Sequence, residues 1–155
     1  MQNISDLKDA INTKTIDLVL LTIVTAGIYP LMWMFKNQGI INKITNKEFS
    51  GDKFIIWIAV CAGLSMTLQF TGEDALDVIS QLLSLASSIL FIVWAFKAKS
   101  ALQEYALNTH KIDFRMKVFY TLIFNVYYIN YCFNDLPESK RKQDILKGNT
   151  EAPEG

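Results

Sequence analysis

The sequence predicts an all-α integral membrane protein with two central transmembrane helices flanked by two broken or re-entrant apolar helical segments; a four-span helical bundle is the alternative. Three observations predict it. The chain of 155 residues is 51% hydrophobic and only 19% charged. Ionisable residues are absent from four long stretches, 18–35, 54–72, 78–96 and 118–134. The basic residues, finally, are distributed unevenly around those stretches. A spanning helix needs about 20 mainly apolar residues, because the hydrocarbon core is about 30 Å thick and a helix rises about 1.5 Å per residue. A soluble chain of this length has too little polar surface to wrap four such segments.

Each element follows from its residues. Segment 18–35 is long enough to span, but Gly27 and Pro30 stand at its middle, where proline removes a backbone donor and bends a helix. A break is expected there. Segments 54–70 and 78–96 carry no charge and read as the two transmembrane helices. Segment 118–133 is shorter and holds Asn125 and Asn130, so it spans poorly as a straight helix. A shift of 98 positions lays Gly27-Ile28-Tyr29 and Trp33-Met34-Phe35 on Asn125-Val126-Tyr127 and Tyr131-Cys132-Phe133. Glycine and asparagine leave helical geometry most easily, which places a second break at Asn125. Stretches 37–52 and 98–112 read as polar or amphipathic helices, with Ile40, Ile41 and Ile44 on one apolar face and Leu102, Tyr105 and Ala106 on the other. Residues 1–133 thus form a single helical membrane domain. Residues 134–155 are polar, carry Pro137 and Pro153, and are expected to be a largely disordered cytoplasmic tail. The first fifteen residues show no cleavable signal, so the first apolar segment is expected to be retained.

Cytoplasmic flanks collect lysine and arginine. The fifteen basic residues fall as two before the first segment, four after it, none in the acidic link 71–77, five in the next connection and four in the tail. Four spans with the N-terminus inside would leave nine of them outside; the inverted arrangement leaves six. Two spans flanked by hairpins entering from the cytoplasm put all fifteen inside. The expected location is therefore a cell membrane, multi-pass, with both termini cytoplasmic. Hairpin tips cannot expose backbone groups to lipid, so they must pack on the central pair. Ala59 and Gly63, with Ser80, Ser84, Ser87 and Ser88, are the small and hydroxyl residues expected to let helices approach. Trp57 and Trp94 are expected to share one membrane interface, with Trp33 and Tyr131 at the hairpin ends.

Fifteen basic residues balance fifteen acidic ones, which leaves no surplus for nucleic-acid binding. Cys61 and Cys132 lie inside apolar runs, so neither a disulfide framework nor a metal site is indicated. No nucleophile with a base, carboxylate pair or metal cluster stands at a telling spacing. No catalytic residue, no cofactor and no enzymatic activity are expected. His110 reads as a surface histidine. The most polar material at membrane depth is Asn125, Tyr127, Asn130 and Tyr131; with Tyr29 and Trp33 these are the candidate ligand- or lipid-binding residues.

From Thr25-Ala26-Gly27-Ile28-Tyr29-Pro30 to Leu31-Met32-Trp33-Met34-Phe35-Lys36, the chain resembles a widespread family of small uncharacterised bacterial inner-membrane proteins built on a domain of unknown function. Their first apolar segment carries a T-x-G-I-Y-x-x-x-W signature followed by a lysine-bearing polar stretch. The last segment, ending in Asn134-Asp135-Leu136-Pro137, is similar to theirs as well. Pro30 stands where the family often has a small residue. The resemblance implies a bacterial inner-membrane location and a layout, not a reaction. The expectation is a non-enzymatic membrane protein whose partners are the lipid bilayer and another membrane protein or a second copy of itself. A channel or transporter subunit, and a membrane immunity or exclusion protein against a toxin or phage, are the alternatives.

Overall fold

The computed structural model describes residues 4–148. Their regular structure is α-helical throughout: α1 (Ser5–Ile11), α2 (Thr15–Val24), α3 (Ile28–Thr45), α4 (Asp52–Leu68), α5 (Asp74–His110) and α6 (Val118–Leu146). Helix α5 is 37 residues long, about 55 Å at 1.5 Å per residue. It joins the expected apolar segment and the expected amphipathic helix into one rod. Among the described residues it is the one helix both long and apolar enough to cross a membrane, and only 22% of its most apolar window is buried. The core helix of a soluble protein would be mostly covered. Helix α4 has 17 residues, or about 25 Å, so the second expected span falls short of a full crossing as a helix.

Helices α4 and α5 form the most extensive helix pair. Their contact is hydroxylic: Ser80 Oγ donates to the Ser65 carbonyl at 2.8 Å, and Ser87 Oγ to the Ile58 carbonyl at 3.5 Å. Two of the expected packing serines therefore do pack. The other four small residues do not. Ala59 and Gly63 lie on the exposed side of α4, with open space where a Gly63 side chain would be. Ser84 and Ser88 are exposed, and Ser88 Oγ bonds the Ser84 carbonyl of its own helix at 3.0 Å. The reason is rotational register. The inward stripe of α4 is Ile55, Ile58 and Ser65, and each single-residue step turns a helix by about 100°, which carries Ala59 away from the partner.

The first segment breaks between α2 and α3 and folds back. Thr13, just before α2, lines the same cleft as Phe35 and Lys36, so the chain has returned to the level from which it set out. Helix α6 also reverses. Asn125 has φ 47° and ψ −118° within it, and Tyr128 Oη then accepts a hydrogen bond from the Lys117 backbone N–H at 3.1 Å. In a straight helix those eleven residues would separate the groups by about 16 Å.

At the lysine-bearing ends of the apolar segments, and beyond them, the chain gathers into a buried head. Leu7 and Ile11 of α1, Met34 and Ile41 of α3, Leu102 and Tyr105 of α5, and Ile129, Phe133 and Leu136 of α6 share one core. Trp94 is fully buried in it, edge-on to Trp33 (ring centroids 6.3 Å apart) and to Phe49 (5.7 Å). The expectation that Trp33 and Trp94 anchor at a membrane interface is thus corrected: both are buried, and Trp57 is exposed. The tail is corrected too. Residues 134–146 are helical, within α6, because they are packed: Leu136 is buried and Asn134 Nδ2 donates to the Thr13 carbonyl at 3.0 Å. Gln143 exchanges two hydrogen bonds with the Asp113 backbone, at 3.1 and 2.9 Å. Pro137 sits inside this arm, removing the hydrogen bond to the Phe133 carbonyl without ending the helix. Residues 149–155 lie outside the described part of the chain.

Candidate functional site

The first hairpin tip is built by Thr25, Ala26 and Gly27. Ala26 (φ 49°) and Gly27 (φ 90°) take left-handed backbone conformations. The Gly27 N–H reaches the Thr22 carbonyl at 2.8 Å and the Ala26 N–H the Ile23 carbonyl at 3.3 Å, a Schellman pattern that satisfies the last carbonyls of α2. Thr25 serves both helices: its hydroxyl donates to the Leu21 carbonyl at 2.7 Å and accepts from the Tyr29 N–H at 2.9 Å. Pro30, expected to be part of the break, is instead the third residue of α3. In the first turn its missing N–H has no helical acceptor to lose. The break therefore lies three residues earlier than the proline.

The second tip uses asparagine. The Asn125 dihedrals match the first central residue of a type II′ turn, a position held mainly by Gly, Asn and Asp. Its Oδ1 is buried without a hydrogen-bond partner among the described residues. The two tips meet. Gly27 and Pro30 of the first, Asn125 and Tyr127 of the second, and Ser88 and Phe91 of α5 line one cavity of about 370 Å³. Ser88 is close to the middle of the apolar half of α5.

A larger cleft, about 620 Å³, lies between α3 and α4. Its walls are Ile28, Leu31, Met32, Trp33, Phe35, Ile55, Ile56 and Ala59, with Thr13, Tyr29 and Lys36 supplying the polar groups. Lys36 is exposed. Such a shape accepts a long apolar chain with a negative group at the lysine end.

The six candidate binding residues accordingly divide. Tyr29 and Trp33 line the α3–α4 cleft, and Asn125 and Tyr127 the cavity at the tips. Asn130 is structural: its Nδ2 donates to the Thr13 carbonyl at 3.1 Å and to Thr15 Oγ1 at 3.2 Å, tying α6 to the start of α2. Tyr131 is exposed and stacks on Tyr128, ring centroids 6.4 Å apart. Sequence reasoning passed over Thr13 and Ser65, and met Thr25 and Lys36 only as the two ends of the signature stretch. Thr25 stands at the hairpin tip and Lys36 beyond the return arm, legible as a cap and a flanking cation; Thr13 and Ser65 matter through their carbonyls, which accept from distant elements.

Cations ring the boundary between the apolar segments and the head. Lys97 Nζ stands 4.9 Å from the centre of the Phe54 ring, Lys117 5.4 Å from Tyr120 and Lys99 5.7 Å from Phe96. Their stems cover apolar surface while the ammonium groups stay at the rim. The opposite end carries Glu73, Asp74 and Asp77. In the head, His110 is not a free surface histidine. Its Nε2 is 2.9 Å from Tyr105 Oη, and the rings meet edge to face. Burial, assisted by Lys140 and opposed by Asp6, lowers the His110 pKa; burial, then Asp6, raises that of Tyr105. Among the described residues no group of His, Cys, Asp or Glu could hold a metal ion.

No curated protein and no solved structure matches the chain. A family model, the domain of unknown function DUF4234, matches residues 14–104, which run from the start of α2 into the head half of α5 and include the first hairpin but not the second. That stretch is more than half of the chain, which therefore belongs to the DUF4234 family.

Proposed function

We propose that the protein is a non-enzymatic integral membrane protein that binds anionic lipid. The observation that carries this reading is the band of outward-facing apolar side chains between the lysine ring and the acidic link. It includes Leu20 and Val24 of α2, Trp57 and Leu64 of α4, Leu82 and Leu85 of α5, and Phe119 and Ile123 of α6. Exposed apolar patches on soluble monomers seldom exceed a few hundred Å²; a band around every apolar helix suits a bilayer. In this reading α5 crosses the membrane and α4 crosses with the help of the turn at Gln69 and Phe70. Both hairpins enter from the head side, which is cytoplasmic by its lysines, and both termini are cytoplasmic. The resemblance around Thr25–Trp33 favours the bacterial inner membrane. The α3–α4 cleft takes an acyl chain, and Lys36 meets the phosphate.

The test has two parts. The full chain is expected to resist carbonate extraction, with reporters at both termini cytoplasmic. Native mass spectrometry is expected to retain phosphatidylglycerol over phosphatidylcholine, and Lys36→Gln to weaken that preference. Extraction by carbonate would sink the membrane reading; equal retention of the two lipids would sink the lipid site alone. One observation favours a second reading, a channel or transporter subunit. Gln81 and Ser84 face outward, so several copies could line a polar path; ion flux in proteoliposomes that Ser84→Leu abolishes would select it.

A further inference from the structure

The two hairpins give the molecule very different cross-sections at its two ends. On the head side of the cavity formed by the tips run six helical rods: α2, the start of α3, α4, α5 and the two arms of α6. Beyond the cavity, among the described residues, only α4 and α5 continue. Three lengths agree on where this change occurs. Residues 28–35 of α3 rise about 12 Å, residues 118–124 of α6 about 10 Å, and α5 covers about 12 Å between Ser88, beside the tips, and Phe96. Each is close to half the roughly 30 Å hydrocarbon thickness. The step in cross-section falls near the bilayer midplane.

We infer that the protein is a leaflet-selective wedge, whose further function is to sense or generate membrane curvature with the head on the convex side. The inference rests on the membrane placement proposed above. A helix with its side chains is about 10 to 12 Å across, so four additional rods occupy roughly 300 to 450 Å² more of one leaflet than of the other. Lipids cannot fill that imbalance in a flat bilayer without strain, and bending toward the head relieves it. The tips are made to stop at this depth. Thr25 and the Gly27 and Ala26 N–H groups satisfy backbone atoms that lipid could not, and both tips rest on α5 rather than passing through the far leaflet. The apolar surface of the hairpins, exposed at Val24, Phe119 and Ile123, faces the acyl chains being displaced.

The experiment uses the full-length chain, fluorescently labelled, in giant vesicles of phosphatidylcholine with phosphatidylglycerol from which narrow tubes are pulled. Orientation is established by protease access to the head, and integration by resistance to carbonate. Molecules with the head outside are expected to be enriched several-fold in the tube relative to the parent vesicle, and molecules with the head inside to be depleted. The opposite signs separate a wedge from general affinity for lipid-packing defects. Equal density in tube and vesicle for integrated protein of both orientations would overturn the wedge and leave the membrane placement intact. Extraction by carbonate would remove the placement, and the wedge with it.

Discussion

Along α5 the chain passes without interruption from a half whose apolar residues face outward to a half whose apolar residues face inward. In the first half Leu82 and Leu85 are 61% and 58% exposed, while the buried positions are Ser80 and Ser87. In the second half Ala98 and Leu102 are fully covered, and Lys97 to Glu104 present charge at the surface. One helix thus carries two opposite patterns. In the membrane placement proposed above, the difference follows from the solvent each half meets. Burying apolar area stabilises only where the alternative is water; against lipid, helices gain more from close approach and from hydroxyl groups that bond across the contact. The Ser80–Ser65 and Ser87–Ile58 bonds join helices in that way, whereas Ala98, Leu102 and Tyr105 belong to the covered core of the head.

That contrast can be broken or sharpened at four places. The largest effect is expected in the head. Trp94→Ala removes a fully buried indole and should cost about 3 to 5 kcal/mol of stability, read as earlier unfolding in detergent micelles titrated with SDS. An unchanged midpoint would mean that the head is not a packed core. Next comes the half whose apolar residues face outward. Leu85→Ala should change that midpoint by less than about 0.5 kcal/mol, since the side chain packs on little protein. Leu85→Lys should instead cost about 2.5 to 3.5 kcal/mol in membrane insertion, measured as loss of the carbonate-resistant fraction. If lysine there leaves insertion unaffected, the exposed band does not face lipid.

A smaller effect separates the reversing helix from the straight one. Asn125 occupies a backbone region that favours glycine, so Asn125→Leu should destabilise by about 1 to 2 kcal/mol, while Asn125→Gly should be neutral or stabilising. The reverse ranking would show that the side-chain amide, not the turn, holds the second tip. The smallest effect is a pH dependence confined to the head. Because His110 has a lowered pKa, the folded state binds fewer protons than the unfolded state just below the ordinary value of 6.5. Stability is therefore retained above that pH and declines as pH falls through it toward the folded-state pKa. His110→Gln should flatten this decline in a melting series; an unaltered profile would assign it to other groups.

The breaks at Gly27 and Asn125 were legible because they are local: a left-handed or type II′ conformation restricts which residues fit, whatever surrounds it. The reach of the hairpin arms was legible for a similar reason, since segment length sets it. Rotational register was not. Ala59 and Gly63 had the spacing of a packing stripe, yet Ile58 and Ser65 form the contact, because only the partner helix decides which face is inward. The tail was misread on composition. Polar residues around Pro137 suggest disorder, but Leu136, Asn134 and Gln143 find partners on elements more than a hundred or some thirty residues distant, and those contacts fund the helix.

The sequence by itself determined the apolar lengths, the positions of the two reversals and the side on which the lysines collect, because each depends on nearest neighbours along the chain or on residue chemistry alone. Only the tertiary structure decided that the two tips meet beside Ser88, that Trp33 and Trp94 are core rather than anchors, and that the six candidate binding residues divide among a cleft, a cavity, a strut and an exposed stack. Those outcomes depend on the relative rotation and depth of helices far apart in sequence, which helical periodicity leaves free and packing alone fixes.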